Sequence, residues 1–335
     1  MSARITIITP SFNQGRYLEE TILSVINQQY GNLEYIIIDG GSTDQSASII
    51  DKYSSRLSYS LIEKDSGQSE AINKGFAKTT GDIVSWLGSD DLLADGALTK
   101  VATAFERLPS TTGLVHGNTE LFSESGFSRI DKGYPDQSVE RRLAGMTFPQ
   151  PSSFIKRTFL DKTGFLNNDY HYVMDYDLFS RLAMTCKFEY IDELLSKYRL
   201  HDMSKSQTAL QGFAGDWMKI FNGVIRGLGF DNAVQELEQL GLSTGAAEGA
   251  AFFVPYRNKI AVNEKLLRYY FFSNVLKYDY ESGNFSRAKE IASHLSTNYF
   301  TEASGDPDVK QMISRLKYLP GSVISLIRKL TRTSK

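Results

Sequence analysis

Short apolar runs and helix-spaced stretches alternate through the first hundred residues, and that alternation is the strongest constraint on the fold. Arg4 to Thr9 is an apolar strand closed by Pro10. Tyr17 to Gln29 carries Leu18, Ile22, Val25 and Ile26 at helical spacing. Leu33 to Ile38 reads as a second strand that ends at Asp39-Gly40-Gly41. Ser42-Thr43-Asp44 then opens a helix through Tyr53, with Ser42 or Asp44 as N-cap. A third strand is expected over Leu57 to Ile62, a helix over Ser69 to Lys78, and a fourth strand over Gly81 to Leu87. This order implies an α/β fold: a mainly parallel sheet, flanked by helices, with right-handed crossovers.

Downstream, Ala97 to Arg107 reads as a helix and Gly113 to Phe122 as a strand. Ser123 to Gly145 is polar and reads as a hairpin or loop near a site. A short strand at Ser152 to Ile155 and a helix at Asp175 to Met184 follow. Phe188 to Ile191 and Ser196 to Leu200 read as the last strands. After about Gln207 only helical signals remain, so the expected division is an α/β domain over residues 1–206 and a helical C-terminal subdomain over 207–335. From Lys310 onward the chain has seven Lys or Arg residues and no acid, with Val323, Ile324, Ile327 and Leu330 on one helical face. Such a tail suits an anionic membrane surface; the alternative is a helix packed on its own domain with a solvated basic face.

A net charge of −2 gives no global signal for nucleic-acid binding. Cys186 is the sole cysteine, so no intrachain disulfide forms, which fits a reducing compartment. It lies in what reads as a packed helix and is not expected to act as a nucleophile. The N-terminus has no basic-then-apolar leader, and no stretch approaches the roughly 20 apolar residues of a membrane span. The expected location is the cytoplasm, at most peripheral at the inner membrane face.

The chemistry lies at the strand ends. They are Thr9-Pro10-Ser11-Phe12-Asn13, then Asp39, then Glu63-Lys64-Asp65-Ser66-Gly67-Gln68, then Gly88-Ser89-Asp90-Asp91. Turns favour Asp, Asn and Gly anyway. Four such ends on one side of a parallel sheet, however, form a cleft where ligands bind in open α/β folds. The cleft is rich in acceptors and suits a base, a ribose and a metal-bound diphosphate. The adjacent carboxylates of Asp90 and Asp91 repel one another and lose water, and a hard divalent cation bridging to phosphate offsets that cost. The plain alternative is a cap on a helix starting near Leu92.

These pieces, with Ser69-Glu70-Ala71-Ile72-Asn73-Lys74-Gly75 and Met174-Asp175-Tyr176-Asp177-Leu178, resemble the family 2 glycosyltransferases. Those enzymes have the nucleotide-diphospho-sugar transferase (GT-A type) fold. The resemblance covers about Ile5 to Ser206 in the family's order. It implies an inverting, metal-dependent transfer of a sugar from a nucleotide-diphosphate donor, a UDP-sugar first of all, to a hydroxyl. The implied acceptor is a glycan or lipid-linked sugar in cell-surface polysaccharide synthesis.

The resemblance also assigns roles. Asp39 would accept a hydrogen bond from the nucleotide base, or close an Asx-turn, or both. Thr9, Pro10, Ser11, Asn13, Asp65, Gly67 and Gln68 would line the nucleotide site. Asn73 and Lys74 would face the same cleft, with a solvated lysine as the alternative. Asp91 would bind Mn²⁺ or Mg²⁺, with His201 as second ligand and Ser89 and Asp90 toward the ribose or a metal-bound water. Gly88 and Ser89 stand where other members carry a further Asp. Arg199 and Lys205 would neutralise the diphosphate. Asp175 would be the catalytic base, with Met174 in place of the usual Glu and Asp177 as the local competitor. Gln150-Pro151-Ser152-Ser153-Phe154 would line the sugar pocket, and Tyr170, His171 and Tyr172 would shape the acceptor side. The competing readings are a non-catalytic sugar-nucleotide-binding module and a nucleotidyltransferase. The latter would need a Gly-rich basic loop after strand one, which Ser11-Phe12-Asn13-Gln14-Gly15-Arg16 is not.

Overall fold

The computed structural model describes residues 2–133, 138–202, 210–244, 249–257 and 259–333. Lys205 lies outside the described residues. The N-terminal region runs β1 (Ile5–Ser11), α1 (Gly15–Ile26), β2 (Leu33–Asp39), α2 (Ser46–Lys52), β3 (Tyr59–Ile62), α3 (Gln68–Lys78) and β4 (Ile83–Trp86). Then come β5 (Leu92–Leu93), α4 (Ala97–Arg107), β6 (Thr112–Ser123), β7 (Ser128–Asp131) and α5 (Val139–Ala144). The last part of the sheet region is β8 (Ser153–Lys156), α6 (Arg157–Thr163), α7 (Met174–Ala183) and β9 (Lys187–Leu200). The described residues form one sheet in the order β3-β2-β1-β4-β8-β6-β9-β5, with β7 paired to β6.

β1, β2, β3 and β4 pair in parallel, as the alternating pattern requires. Their side chains feed cores on both faces, so the strands read as continuous apolar runs. Ile5, Ile7, Tyr35 and Ile37 pack with Leu18, Ile22 and Val25 of α1. Ile8, Ile36 and Ile38 pack with Ala71, Ile72 and Phe76 of α3. Gly75 permits that second contact: a Cβ there would lie 2.5 Å from Ile8 Cγ2.

Three local expectations change. The helix expected from Ser42 begins at Ser46, because the Asp44 carboxylate accepts from both Ser46 N and Gly15 N and so joins the starts of α2 and α1. The two last strands are one, since β6 offers a parallel partner along the length of β9 across its bulges. The polar Asp192-Glu193 pair hid that continuity. Its side chains find Asn118 and Lys100 at the surface. The Ser123–Gly145 stretch holds β7 and α5 among its described residues, the latter capped by Ser138.

All described elements after Leu200 are helical. They share one apolar core with the sheet, running from Ile8 through Tyr176 to Phe221, Phe271 and Ile324. The α5 end is tied across that junction: the Ala144 carbonyl accepts from Trp217 Nε1 at 3.0 Å and from Asn274 Nδ2 at 3.3 Å. Among the described residues, no helix is long and apolar enough to cross a membrane.

Candidate active site

A cleft of about 930 Å³ opens at the carboxyl ends of the four parallel strands. Pro10 and Ser11 from β1, Asp65, Gly67 and Gln68 from the β3–α3 loop, and Ser89, Asp90 and Asp91 after β4 all face it. Asp175 joins them from the first turn of α7. These nine residues, all singled out from the sequence, therefore meet on one surface.

The Asp90-Asp91 turn is no helix cap. Leu92 and Leu93 pair with β9, and α4 starts at Ala97 behind Gly96. Asp91 is 4% exposed, and its Oδ1 accepts from Arg199 N at 3.0 Å. Burial and the neighbouring Asp90 charge push its pKa well above the usual carboxylate range, against the opposing pull of Arg199. Both carboxylates lean over Gly88, where a Cβ would come within 2.8 Å of Asp90 Oδ1 and 3.1 Å of Asp91 Oδ2. A side chain at 88 would require the Asp90 carboxylate to shift. His201 Nε2 lies 2.9 Å from Asp90 Oδ2, and its ring sits 4.9 Å from that of Tyr17. His201 is thus bonded to Asp90.

Arg199 does not point at a diphosphate. Its Nε donates to the Asp90 carbonyl at 3.0 Å, and its terminal nitrogen pairs with Glu20 at 2.6 Å. The guanidinium lies 4.8 Å from the Tyr17 ring centre and 4.7 Å from that of Phe122. Arg199 holds the shape of the Asp90-Asp91 turn, a role set by a residue 109 positions away and invisible to local pattern.

Asp175 and Asp177 separate clearly. Asp177 is 5% exposed and forms a two-point ion pair with Arg181, at 3.1 and 2.7 Å. Asp175 faces the cleft, and its Oδ1 accepts only from Tyr176 N at 2.9 Å among the side-chain bonds described. Burial pushes its pKa up to about 6. A carboxylate with that value holds a proton weakly enough to ionise at neutral pH and strongly enough to accept one.

Other expected contacts resolve differently. Asp39 is fully buried and accepts from Gly41 N, Ser42 N and Ser42 Oγ, so the Asx-turn is its observed role. Thr9 is buried with its hydroxyl 3.1 Å from Tyr35 Oη. Asn13 adopts φ 52° and accepts from Thr43 N, pinning the β1 loop to the β2 loop. Asn73 brackets the chain at Leu166, donating to its carbonyl and accepting from its amide. Lys74 bridges Glu63 and Glu70 at 2.7 and 2.9 Å, and those carboxylates raise its pKa to about 12. These five residues position the loops around the cleft and do not line it.

Asp65 stacks over Gly40, where a Cβ would meet its carboxylate at 2.9 Å. Burial raises its pKa, opposed by the bond from Gly67 N. Gln150 and Pro151 line the cleft, and Gln150 Nε2 donates to the Trp86 carbonyl at 2.8 Å. Ser152 and Ser153 instead bond to backbone carbonyls. Of Tyr170, His171 and Tyr172, only Tyr172 lines this cleft. It packs against Gly212 and Phe213 of the helix Leu210–Leu228, with ring centres of Tyr172 and Phe213 5.2 Å apart.

Lys64 and Phe213 are among the lining residues assigned no role from the sequence. Lys64 is the lone Lys or Arg among the described lining residues, facing the carboxylates of Asp65, Asp90, Asp91 and Asp175. A diphosphate entering this negative cleft needs added positive charge. Among the described residues no group of three or more His, Cys, Asp and Glu side chains forms a metal cage. The Asp90-Asp91 pair does fit a cation of the Mg²⁺ or Mn²⁺ type that takes one or two carboxylates and completes its shell with substrate phosphates and water. The lone cysteine is inert here: burial pushes the Cys186 thiol up to about 12.

A sheet built this way, with flanking helices, a helical C-terminal region and a cleft at the ends of its parallel strands, has the GT-A type of nucleotide-sugar fold. The chain matches the description of glycosyl transferase family 2 over residues 6–163. It is 32% identical over 190 residues to an uncharacterized glycosyltransferase of Mycobacterium tuberculosis (strain CDC 1551 / Oshkosh), covering 55% of this chain and 70% of that one. It is 27% identical over 221 residues to an uncharacterized glycosyltransferase of Rickettsia typhi, covering 62% and 68%. S. aureus TarS 1–349 in complex with UDP superposes with a TM-score of 0.54 at 15% identity, covering 82% of each chain. The longer S. aureus TarS chain is covered over 49% of its length. The protein belongs to glycosyl transferase family 2.

Proposed function

We propose that the chain is an inverting, metal-dependent transferase that moves a sugar from a UDP-sugar to a hydroxyl of a glycan or lipid-linked acceptor. The observation that carries this reading is the placement of Asp175, ionisable near neutrality, on the same cleft as the Asp90-Asp91 turn. The UDP and UDP-GlcNAc complexes of the TarS fold neighbour support a uridine donor.

In this reading the acceptor oxygen attacks the anomeric carbon as Asp175 takes its proton. The new glycosidic bond forms, the bond to the diphosphate breaks, and its electron pair leaves with the nucleotide. The leaving diphosphate needs no proton, so one carboxylate suffices. Asp91 and His201 are the proposed cation donors, His201 giving up its contact with Asp90 to do so. When bound, Mn²⁺ or Mg²⁺ supplies neutralising charge for the departing diphosphate. Pro10, Ser11, Asp65, Gly67, Gln68 and Ser89 form the donor wall, and Lys205 is kept as a proposed diphosphate contact. Thr9, Asn13, Asp39, Asn73 and Lys74 shape that wall through the bonds described above. Residues 1–206 would hold the donor, and 207–335 would add the Phe213 side of the acceptor wall. The proposed setting is cell-surface polysaccharide synthesis at the cytoplasmic membrane face.

Thermal-shift titration with nucleotide sugars, with and without Mn²⁺, tests this. A UDP-sugar at about a hundredfold excess over Kd should raise the midpoint by about 5 °C or more, and only with the cation present. No shift with any nucleotide sugar overturns the reading.

A further inference from the structure

We propose that the C-terminal helix pair, Pro307–Tyr318 and Gly321–Thr333, is a docking surface for an anionic lipid bilayer. The second helix presents two faces. On one, Ile324 is fully buried in the core that also holds Leu316. Arg328 on the same side lies 5.9 Å from the ring centres of both Tyr280 and Phe285 and donates to the Glu281 carbonyl. These contacts fix the helix to the body of the protein. They also correct the expectation of a single apolar face containing Ile324.

The outer face carries Val323, Leu326 and Leu330, spaced i, i+3 and i+7. Leu326 is 58% exposed and Leu330 62%. Tyr318, which closes the preceding helix, is 70% exposed, and the Lys317 ammonium sits over its ring. Lys310 and Lys317 lie on the exposed face of that helix. The two helices carry Lys310, Arg315, Lys317, Arg328, Lys329 and Arg332 against one acid, Asp308 in the first turn.

An aliphatic stripe with a tyrosine beside it and an unbalanced positive charge around it matches the interface of an anionic membrane. Aliphatic side chains enter the acyl boundary, tyrosine sits at headgroup level, and lysines meet the lipid phosphates. The same charge argues against a second copy of the chain as occupant, since like charges would face one another.

The test is cosedimentation of the full chain with vesicles of phosphatidylcholine, with and without phosphatidylglycerol. Binding is expected to the anionic vesicles alone and to weaken as salt rises. The double substitutions Leu326→Glu with Leu330→Glu, and Lys310→Glu with Lys317→Glu, should each lower binding on the order of tenfold or more. The lysine pair is solvent-exposed, so its variant keeps the test valid where the leucine variant loses its thermal midpoint. Equal binding to both vesicle types, no binding at all, or unchanged binding by both variants overturns the proposal. So does a dimer in sedimentation velocity that the leucine variant abolishes while vesicles are ignored. Vesicle binding is read without donor turnover, so it stands or falls apart from the transferase reading.

Discussion

Asp175→Asn is expected to lower turnover by roughly two to four orders of magnitude while donor affinity changes by no more than about threefold. The side chain keeps its shape and its bond from Tyr176 N but can no longer take a proton. Asp177 cannot substitute, because Arg181 holds it in a buried ion pair. In the parent protein kcat/KM should fall as pH drops through about 6, where Asp175 is protonated. The same substitution should stabilise the fold. The folded pKa of Asp175 is about 6 against an ordinary value of 3.8, so the folded state holds its proton more tightly. Stability is therefore lost as pH rises from about 4 to about 6 and stays lost above that. Asparagine removes the cost, a gain of up to about 3 kcal/mol at pH 7.5 that vanishes near pH 4. Urea unfolding at the two pH values, beside a UDP-release assay, reads both effects. A variant that turns over like the parent removes Asp175 from the chemistry.

Asp91→Asn is expected to cost about two to three orders of magnitude in turnover and to abolish the cation-dependent thermal shift by the donor. Asp91 is buried beside Asp90, with one oxygen committed to Arg199 N and its charge raised in energy by both burial and its neighbour. A group so poorly compensated in the free protein gains most when a cation arrives with its own phosphates. Removing the charge relieves the repulsion, so the free variant should melt no lower than the parent. Treating the parent with EDTA should reproduce the loss, and the same treatment should do nothing further to the variant. A cation-dependent donor shift that survives in Asp91→Asn moves the cation elsewhere in the cleft.

The strand-end motifs were legible because each is local. A parallel strand of Ile and Val ends where polarity begins, and the sheet order then brings the ends of β1 to β4 to one side. The place of Asp175 in the first turn of a helix was legible for the same reason, while its role as base came from the family motif. What escaped are the partners set by chain topology. Asn73 reaches Leu166, and Arg199 reaches Asp90 and Glu20, over separations of 93, 109 and 179 residues. Nothing in the local pattern around Lys74 says that Glu63, rather than a phosphate, is its partner. The Asx-turn was one of the two readings of Asp39-Gly40-Gly41, and the three bonds Asp39 accepts within its own turn match it. Gly88 looked like a departure from an acid-rich motif. The structure shows two carboxylates occupying the space a side chain would need.

The central claim is that one carboxylate, Asp175, acts across the cleft from the Asp90-Asp91 turn in a single displacement. The anomeric configuration of the product made from an α-linked UDP-sugar, read from its anomeric proton coupling by NMR, tests this most directly. A β-linked product is predicted; an α-linked product would contradict the account.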